Sequence, residues 1–371
     1  MFSRLTSVNE LFTRKLHDLL KARQRRAIET TEPYTVGSSI GSVRSKNEDT
    51  GLICRVRHTE RQRDFDLALV CDGMGGMTGG QAAALIAASV FTSAYIAHDV
   101  RRTEDRLRVG VMAAQRRVFE VLRGEGGTTL SAVAVPRHGE PWSVHVGDSR
   151  IYELLEDDLV QLTTDQTIGS LLKGGEGRPD AHRLLQFVGM DEELEPQLSL
   201  LRPLPGSGYL LTSDGAHGAP HDMLRRVARH ARSGSDAVRR LLSLADLLGG
   251  VDNATGVFLP SALDEASVPD PLGLTVTVLT PSGEHDTWLP GNWPGRFDQR
   301  QPGGPSSVAE AGVTAHPQQR TPNAKTSPKQ PPPTRKKRKS VKPKTAEAPP
   351  FLSENEQPPR QVSLKFEDGQ E

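Results

Sequence analysis

The sequence is poor in cysteine, in net charge and in long apolar runs, and each shortage removes a class of protein. Only Cys54 and Cys71 occur in 371 residues, both within apolar stretches, so no disulfide framework is expected. Lysine plus arginine and aspartate plus glutamate each number 46, which leaves no overall field to draw in nucleic acid or a membrane surface. No stretch approaches the ~20 consecutive apolar residues of a membrane span, so no transmembrane segment is expected. His145, His182 and His217 lack the spacing of metal ligands and are read as structural or surface residues. The composition suits a cytoplasmic enzyme that works as a monomer. Leu11, Leu16, Leu19 and Leu20 stand among arginines and lysines in residues 1–30. That segment reads as a short basic amphipathic helix, packed on the domain that follows in preference to a membrane surface. It has no continuous apolar core, so a signal peptide is not expected.

What the sequence does hold is aspartate at the ends of apolar strands. Leu67-Ala68-Leu69-Val70-Cys71 runs into Asp72-Gly73-Met74-Gly75-Gly76, which delivers one carboxylate to a strand end and leaves the backbone around it bare. Oxygen ligands presented this way suit a hard cation. Gly208 to Ser213 ends on Asp214-Gly215, and Asp252 opens the run Asn253 to Leu259. Trp142 to Val146, then Gly147-Asp148-Ser149-Arg150 and Ile151 to Leu154, reads as a β-hairpin with Asp148 at its turn. Asp-Gly and Asp-Asn pairs are also ordinary turn formers, and turns alone would account for each aspartate singly.

Taken in order, these segments resemble the metal-dependent PP2C-like protein phosphatases, and the bacterial branch in particular. Gly41-Ser42-Val43-Arg44-Ser45-Lys46-Asn47-Glu48-Asp49 is similar to the family's opening element, and Asp72 to Gly76 to its Asp-Gly-Met-Gly-Gly element. Gly127-Thr128-Thr129-Leu130, Val146 to Arg150, Leu162-Thr163-Thr164-Asp165, Ser213-Asp214-Gly215 and Asp252 to Thr255 follow in the family's order. The resemblance covers roughly residues 34 to 260. It implies an α+β fold, a four-layer α/β/β/α sandwich of two antiparallel sheets flanked by helices. It implies hydrolysis of phosphoserine and phosphothreonine in protein substrates by water activated between two Mn2+ or Mg2+ ions, in opposition to a serine/threonine kinase. By the same resemblance Asp72 bridges the ions and the Gly73 carbonyl completes the second one's shell. Asp214 and Asp252 hold the first ion, Glu48 the second, and Asp49 orders water. Asp148 with Asp214 is similar to a third, weaker site. Arg44 is placed to grip phosphate through its guanidinium fork.

The sequence departs from the family at several points. Met74 stands where many eukaryotic members have the histidine that protonates the leaving group, which leaves the general acid unassigned. Gln166 replaces a frequent histidine, and the stretch between Asp165 and Leu185 is short for the usual flap, which implies altered substrate choice. Asp165 itself reads as the N-cap of a helix beginning near Ile168, close to that flap.

Around the motifs, Gly79 to His98 and Arg106 to Leu122 have helical patterns, the first apolar around most of its girth and so suited to burial on a sheet. Met223 to Ala231 and Ala237 to Leu248 give further amphipathic helices. Without the resemblance, the pattern supports only a mixed α and β chain with grouped strands. Leu274 to Leu279 and Glu284 to Leu289 read as a hairpin appended to the domain within 261–300. Residues 301–371, rich in proline, glutamine, lysine and serine, are expected to be disordered. They carry a basic cluster at Arg335 to Lys339 and a strand-like end at Gln361 to Asp368, the expected docking segment for a protein partner. The alternative function is a non-catalytic phosphatase-like scaffold that signals through this tail.

Overall fold

The computed structural model describes residues 2–22, 25–58, 63–74, 79–98, 102–172, 180–191, 193–263 and 273–290. The expectations for 301–371, the basic cluster and the strand-like end included, fall outside the described residues. Residues 75–78 and 173–179, in the glycine motif and the flap, also lie outside them.

Alternating apolar residues build two antiparallel sheets. One contains β1 (Arg26–Thr31), β2 (Tyr34–Ser39), β7 (Arg150–Leu154), β8 (Leu159–Gln161), β10 (Gly208–Thr212) and β11 (Ala254–Pro260), in the order β1-β2-β11-β10-β7-β8. The other contains β3 (Thr50–His58), β4 (Phe65–Cys71), β5 (Leu130–Pro136), β6 (Trp142–Val146), β9 (Gln197–Leu200), β12 (Gly273–Thr280) and β13 (Gly283–Pro290), in the order β13-β12-β3-β4-β5-β6-β9. Successive side chains of a strand point to opposite faces, and β4 uses both. Ala68 and Val70 meet Tyr34, Val36, Leu211 and Val257 of the facing sheet. Leu67, Leu69 and Cys71 instead join the core formed with α2 (Gly80–Ala97) and α3 (Thr103–Leu122). On the far side, α5 (His221–Arg229) and α6 (Gly234–Leu247) cover Tyr152, Leu210 and Ala254. The result is the expected helix-sheet-sheet-helix stack.

Helix α2 is apolar all round because it is enclosed on most sides. The sheet lies beneath it, α3 beside it, and α1 (Phe2–Leu20) over it, with Phe12, Leu16 and Leu20 of α1 buried in the same core. The N-terminal helix therefore packs on the domain.

Several local expectations are corrected by pairing between distant segments. Trp142 to Leu154 is not a hairpin: β6 pairs with β5 and β9, while β7 pairs with β10 and β8. The chain crosses from one sheet to the other at Gly147, whose φ of 102° suits glycine, and Asp148 sits at that crossing. The first sheet begins at Arg26, inside the segment expected to be a separate 1–30 element and ahead of the expected start at 34, because β1 pairs with β2 along its length. Helix α4 (Ile168–Leu171) is a single turn capped by Thr167, whose Oγ1 accepts from the Ser170 N–H at 3.3 Å. Asp165 is not that cap; it holds Arg150 instead. The 274–289 hairpin is β12 and β13, and β12 pairs with β3 to extend the second sheet.

The seating of α1 gives a direct test. Leu16→Ala should cost about 2–5 kcal/mol in urea denaturation, as Leu→Ala changes in buried cores do. A loss below about 0.5 kcal/mol, the level of an ordinary surface change, would show that α1 does not rest on α2.

Candidate metal centre

The acidic residues reach one cleft because strand ends from both sheets open there. Asp72 follows the last residue of β4. Its backbone N–H donates to Thr129 Oγ1 at 2.9 Å, and its carbonyl accepts from the Thr129 N–H at 2.9 Å and Thr128 Oγ1 at 2.8 Å. Thr129 Oγ1 lies 2.6 Å from Ser149 Oγ, next to Asp148. Ser131 Oγ lies 2.9 Å from His145 Nδ1, and His145 Nε2 lies 3.2 Å from the Thr164 carbonyl. Burial holds this imidazole down at about 4, so neutral His145 serves as a structural bridge, as expected. His217 is likewise buried, with Nδ1 2.8 Å from Thr212 Oγ1. Thr128, Thr129 and Ser149 form a hydroxyl shelf behind Asp72, and sequence alone assigns them no role. Their only signal was membership of the Thr-Thr and Gly-Asp-Ser-Arg motifs.

The remaining carboxylates approach from other elements. Asp49, 1% exposed, precedes β3 and accepts from Ser213 Oγ at 2.7 Å. Asp214 opens the 3-10 turn Asp214–Ala216 after β10. Glu48 lies near the Gln81 N–H in the first turn of α2, a favourable place for a negative charge. Asn253 pins the loop between β2 and β3, accepting from the Glu48 N–H at 2.8 Å and donating to the Ile40 and Lys46 carbonyls at 3.0 Å each. Arg44 Nη2 lies 2.6 Å from Asp252 Oδ2, so the cation expected to meet phosphate and a carboxylate expected to meet metal are held together.

Like charge dominates this cleft. Burial, then the fields of Asp49, Asp214 and Asp148, push the Asp72 carboxyl well above its ordinary range. The side chains of Asp72 and Asp214 also act on each other directly, raising Asp72 further and lowering Asp214. Burial and the neighbouring Asp252 push Asp214 up on balance. Asp214 still touches solvent, since a group in a concave cleft can be surrounded by protein mass and remain wetted. Asp49 is pushed up to about 7 by burial, against the lowering bonds from Ser213 and Thr255. Asp148 reaches about 7 through burial and then the fields of Asp214 and Asp165. Burial also raises Glu48, with Arg44 opposing.

These residues fit a divalent cation by the chemistry of their donors. Every candidate atom is oxygen, as Mg2+ and Mn2+ prefer, and a cation would relieve the repulsion that raises these carboxyls. The backbone at Gly73 is tightly enclosed: a Cβ there would sit 2.4 Å from the Gly80 carbonyl oxygen and 2.7 Å from that of Glu48. Among the described residues, no three His, Cys, Asp or Glu side chains already form a closed ion cage. Asp72 lies in the fields of Asp49, Asp214 and Asp148, and Asp214 in that of Asp252.

No family model matches the chain. It is similar to the serine/threonine protein phosphatase PstP of Mycobacterium tuberculosis, at 32% identity over 241 residues covering 60% of this chain and 44% of that protein. The chain thus spans less than half the length of that curated relative. Among solved structures it resembles the PPM Ser-Thr phosphatase MsPP of Mycobacterium smegmatis in complex with cacodylate, with a TM-score of 0.53 and 28% identity, covering 62% of this chain and 99% of that one. The catalytic domain of the serine threonine protein phosphatase PstP in complex with two manganese ions matches with a TM-score of 0.50 and 27% identity, over 63% of this chain and 98% of that one.

The raised carboxyls fix a sign for pH dependence. Asp49 and Asp148 titrate near about 7 when folded and near about 4 when unfolded. Between those values these two acids hold more protons in the folded chain and lower its stability as pH rises, whereas buried His145 and His217 act the opposite way below about pH 6.5. The histidines are common to protein with and without metal, so the gain in melting temperature on replacing chelator with Mn2+ should grow from about pH 4 to about pH 7. A gain that stays flat or shrinks across that window would show that these acids do not repel one another as described.

Proposed function

We infer that this chain, which belongs to the PP2C-like (PPM) phosphatase family and resembles its bacterial members, is a metal-dependent protein serine/threonine phosphatase. The observation that carries the reading is the meeting of Asp72, Asp214, Asp252, Glu48 and Arg44 at one end of the sandwich. Glu48, Asp72, the Gly73 carbonyl, Asp214 and Asp252 would hold the two ions, and Asp148 with Asp214 a third. When bound, such ions acidify water and offset the charge of a phosphate ester, a substrate that is very slow to hydrolyse unaided.

The chain's own residues do the rest. Arg44 offers a planar fork that matches two phosphate oxygens. It starts from its contact with Asp252, and the same side chain can turn from one anion to the other. Ser213 and Thr255 fix the orientation of Asp49 beneath the cleft. Met74 supplies no protonatable group, so the leaving alkoxide takes its proton from water. Substrates are phosphoserine and phosphothreonine proteins, and the enzyme opposes a serine/threonine kinase.

Hydrolysis of a chromogenic aryl phosphate tests the reading. Turnover should require Mn2+ or Mg2+, stop with chelator, and fall about a hundredfold or more in Asp72→Asn, the scale set by loss of a principal electrostatic group. Folded protein that turns over neither aryl phosphate nor phosphopeptide with either ion would favour the non-catalytic scaffold.

A further inference from the structure

Close to Arg44 in the chain, exposed apolar residues stand on two loops that are bonded to each other. The Ser42 and Val43 N–H groups donate to the Gly250 carbonyl at 2.7 and 3.3 Å. Gly41 lies in the left-handed region at φ 75°, and a Cβ there would sit 2.5 Å from the carbonyl oxygens of Gly250 and Asp252. The two backbones are therefore in direct contact. Val43 precedes Arg44 and is 69% exposed; Val251 precedes Asp252 and is 67% exposed. Leu248, at the end of α6, is exposed on the same loop. Singly exposed apolar residues are ordinary. Here Val43 and Val251 stand on two joined loops, each next in sequence to one partner of the Arg44–Asp252 pair.

The platform is fixed. Asn253 bonds to three backbone groups of the 40–48 loop. The Leu248, Gly249 and Gly250 N–H groups close the end of α6 on the Leu244, Asp246 and Ala245 carbonyls. The nearby charge of Asp246 is compensated by Arg26 at 2.9 Å. Apolar groups held rigidly beside a phosphate-gripping arginine can recognise a side chain without a large ordering cost.

We propose that Val43 and Val251, with Leu248, form a substrate subsite for an aliphatic or aromatic side chain flanking the phosphorylated residue. The proposal deepens the phosphatase reading and rests on it. A phosphate held by Arg44 brings the neighbouring substrate residues over this shoulder, and continuity with the cleft selects a phosphoprotein segment as occupant.

The test uses paired phosphothreonine peptides that differ only in leucine or serine at the flanking positions, assayed with Mn2+ on the full chain and on Val43→Ser/Val251→Ser. Aryl phosphate hydrolysis and thermal melting accompany each assay. Wild type should favour the leucine peptide by roughly three- to tenfold in kcat/KM, the scale of partial burial of one aliphatic side chain. The variant should lose that preference with aryl phosphate turnover and melting temperature unchanged. Equal preference in both proteins, or none in wild type, overturns the subsite while aryl phosphate turnover leaves the phosphatase reading standing. A concentration-dependent dimer that the variant abolishes, without any peptide preference, assigns the surface to a second copy and overturns the proposal. Absence of all turnover from folded protein removes the phosphatase reading and the subsite with it.

Discussion

Mutual repulsion among acids gathered in one cleft is the constraint that the rest of the molecule accommodates. Asp49, Asp72, Asp148 and Asp214 all lie in one another's fields or beside one that does. Left to themselves such groups would move apart or take up protons. They remain together because each is fixed by neighbours that have no choice of position. Asp72 is held through its backbone by Thr128 and Thr129, Asp49 through Ser213, and the Glu48 loop through Asn253. Those partners are set in turn by antiparallel pairing across the two sheets.

The sandwich supplies the stiffness. Each strand that ends at the cleft is buried along nearly its whole length, with β4 and β10 buried throughout. A shift of one residue in register would turn an apolar row away from its core. Helices α2 and α6 press on the outer faces of the two sheets. The carboxylates are thus positioned by hydrophobic packing around the cleft, while the cleft itself works against stability.

Much of the site was legible because its residues come in short, ordered runs. Asp72-Gly73, Ser213-Asp214-Gly215 and Asp252-Asn253 each place a carboxylate beside the small or polar neighbours that fold around it. Helices α2, α3, α5 and α6 were legible through their period, within a few residues at each end. What escaped the sequence depends on partners far along the chain. Gly147-Asp148 looks like a hairpin turn until β6 and β7 are seen to pair with different sheets. Arg26 to Thr31 has weak strand character alone and is ordered by β2. Thr167 displaces Asp165 as the helix cap because Arg150, on another strand, engages that carboxylate at 2.7 Å. The hydroxyl shelf from Thr129 to His145 exists only once β5, β6 and the crossing are assembled.

The pairing of β12 with β3 has a consequence for where the domain ends. β3 carries residues next to the metal-binding candidates, and its outer edge is covered by a strand that arrives more than two hundred residues later, with Val276 opposite Val56 and Leu279 opposite Ile53. Arg55 and Glu284 tie the last strand to this edge at 2.9 Å, and Ser282 Oγ donates to the Ala22 carbonyl at 2.9 Å. A version trimmed after the last site motif, near residue 260, would keep every residue assigned to the chemistry. It would also bare a long, apolar strand edge, the kind of surface on which chains add to one another and aggregate.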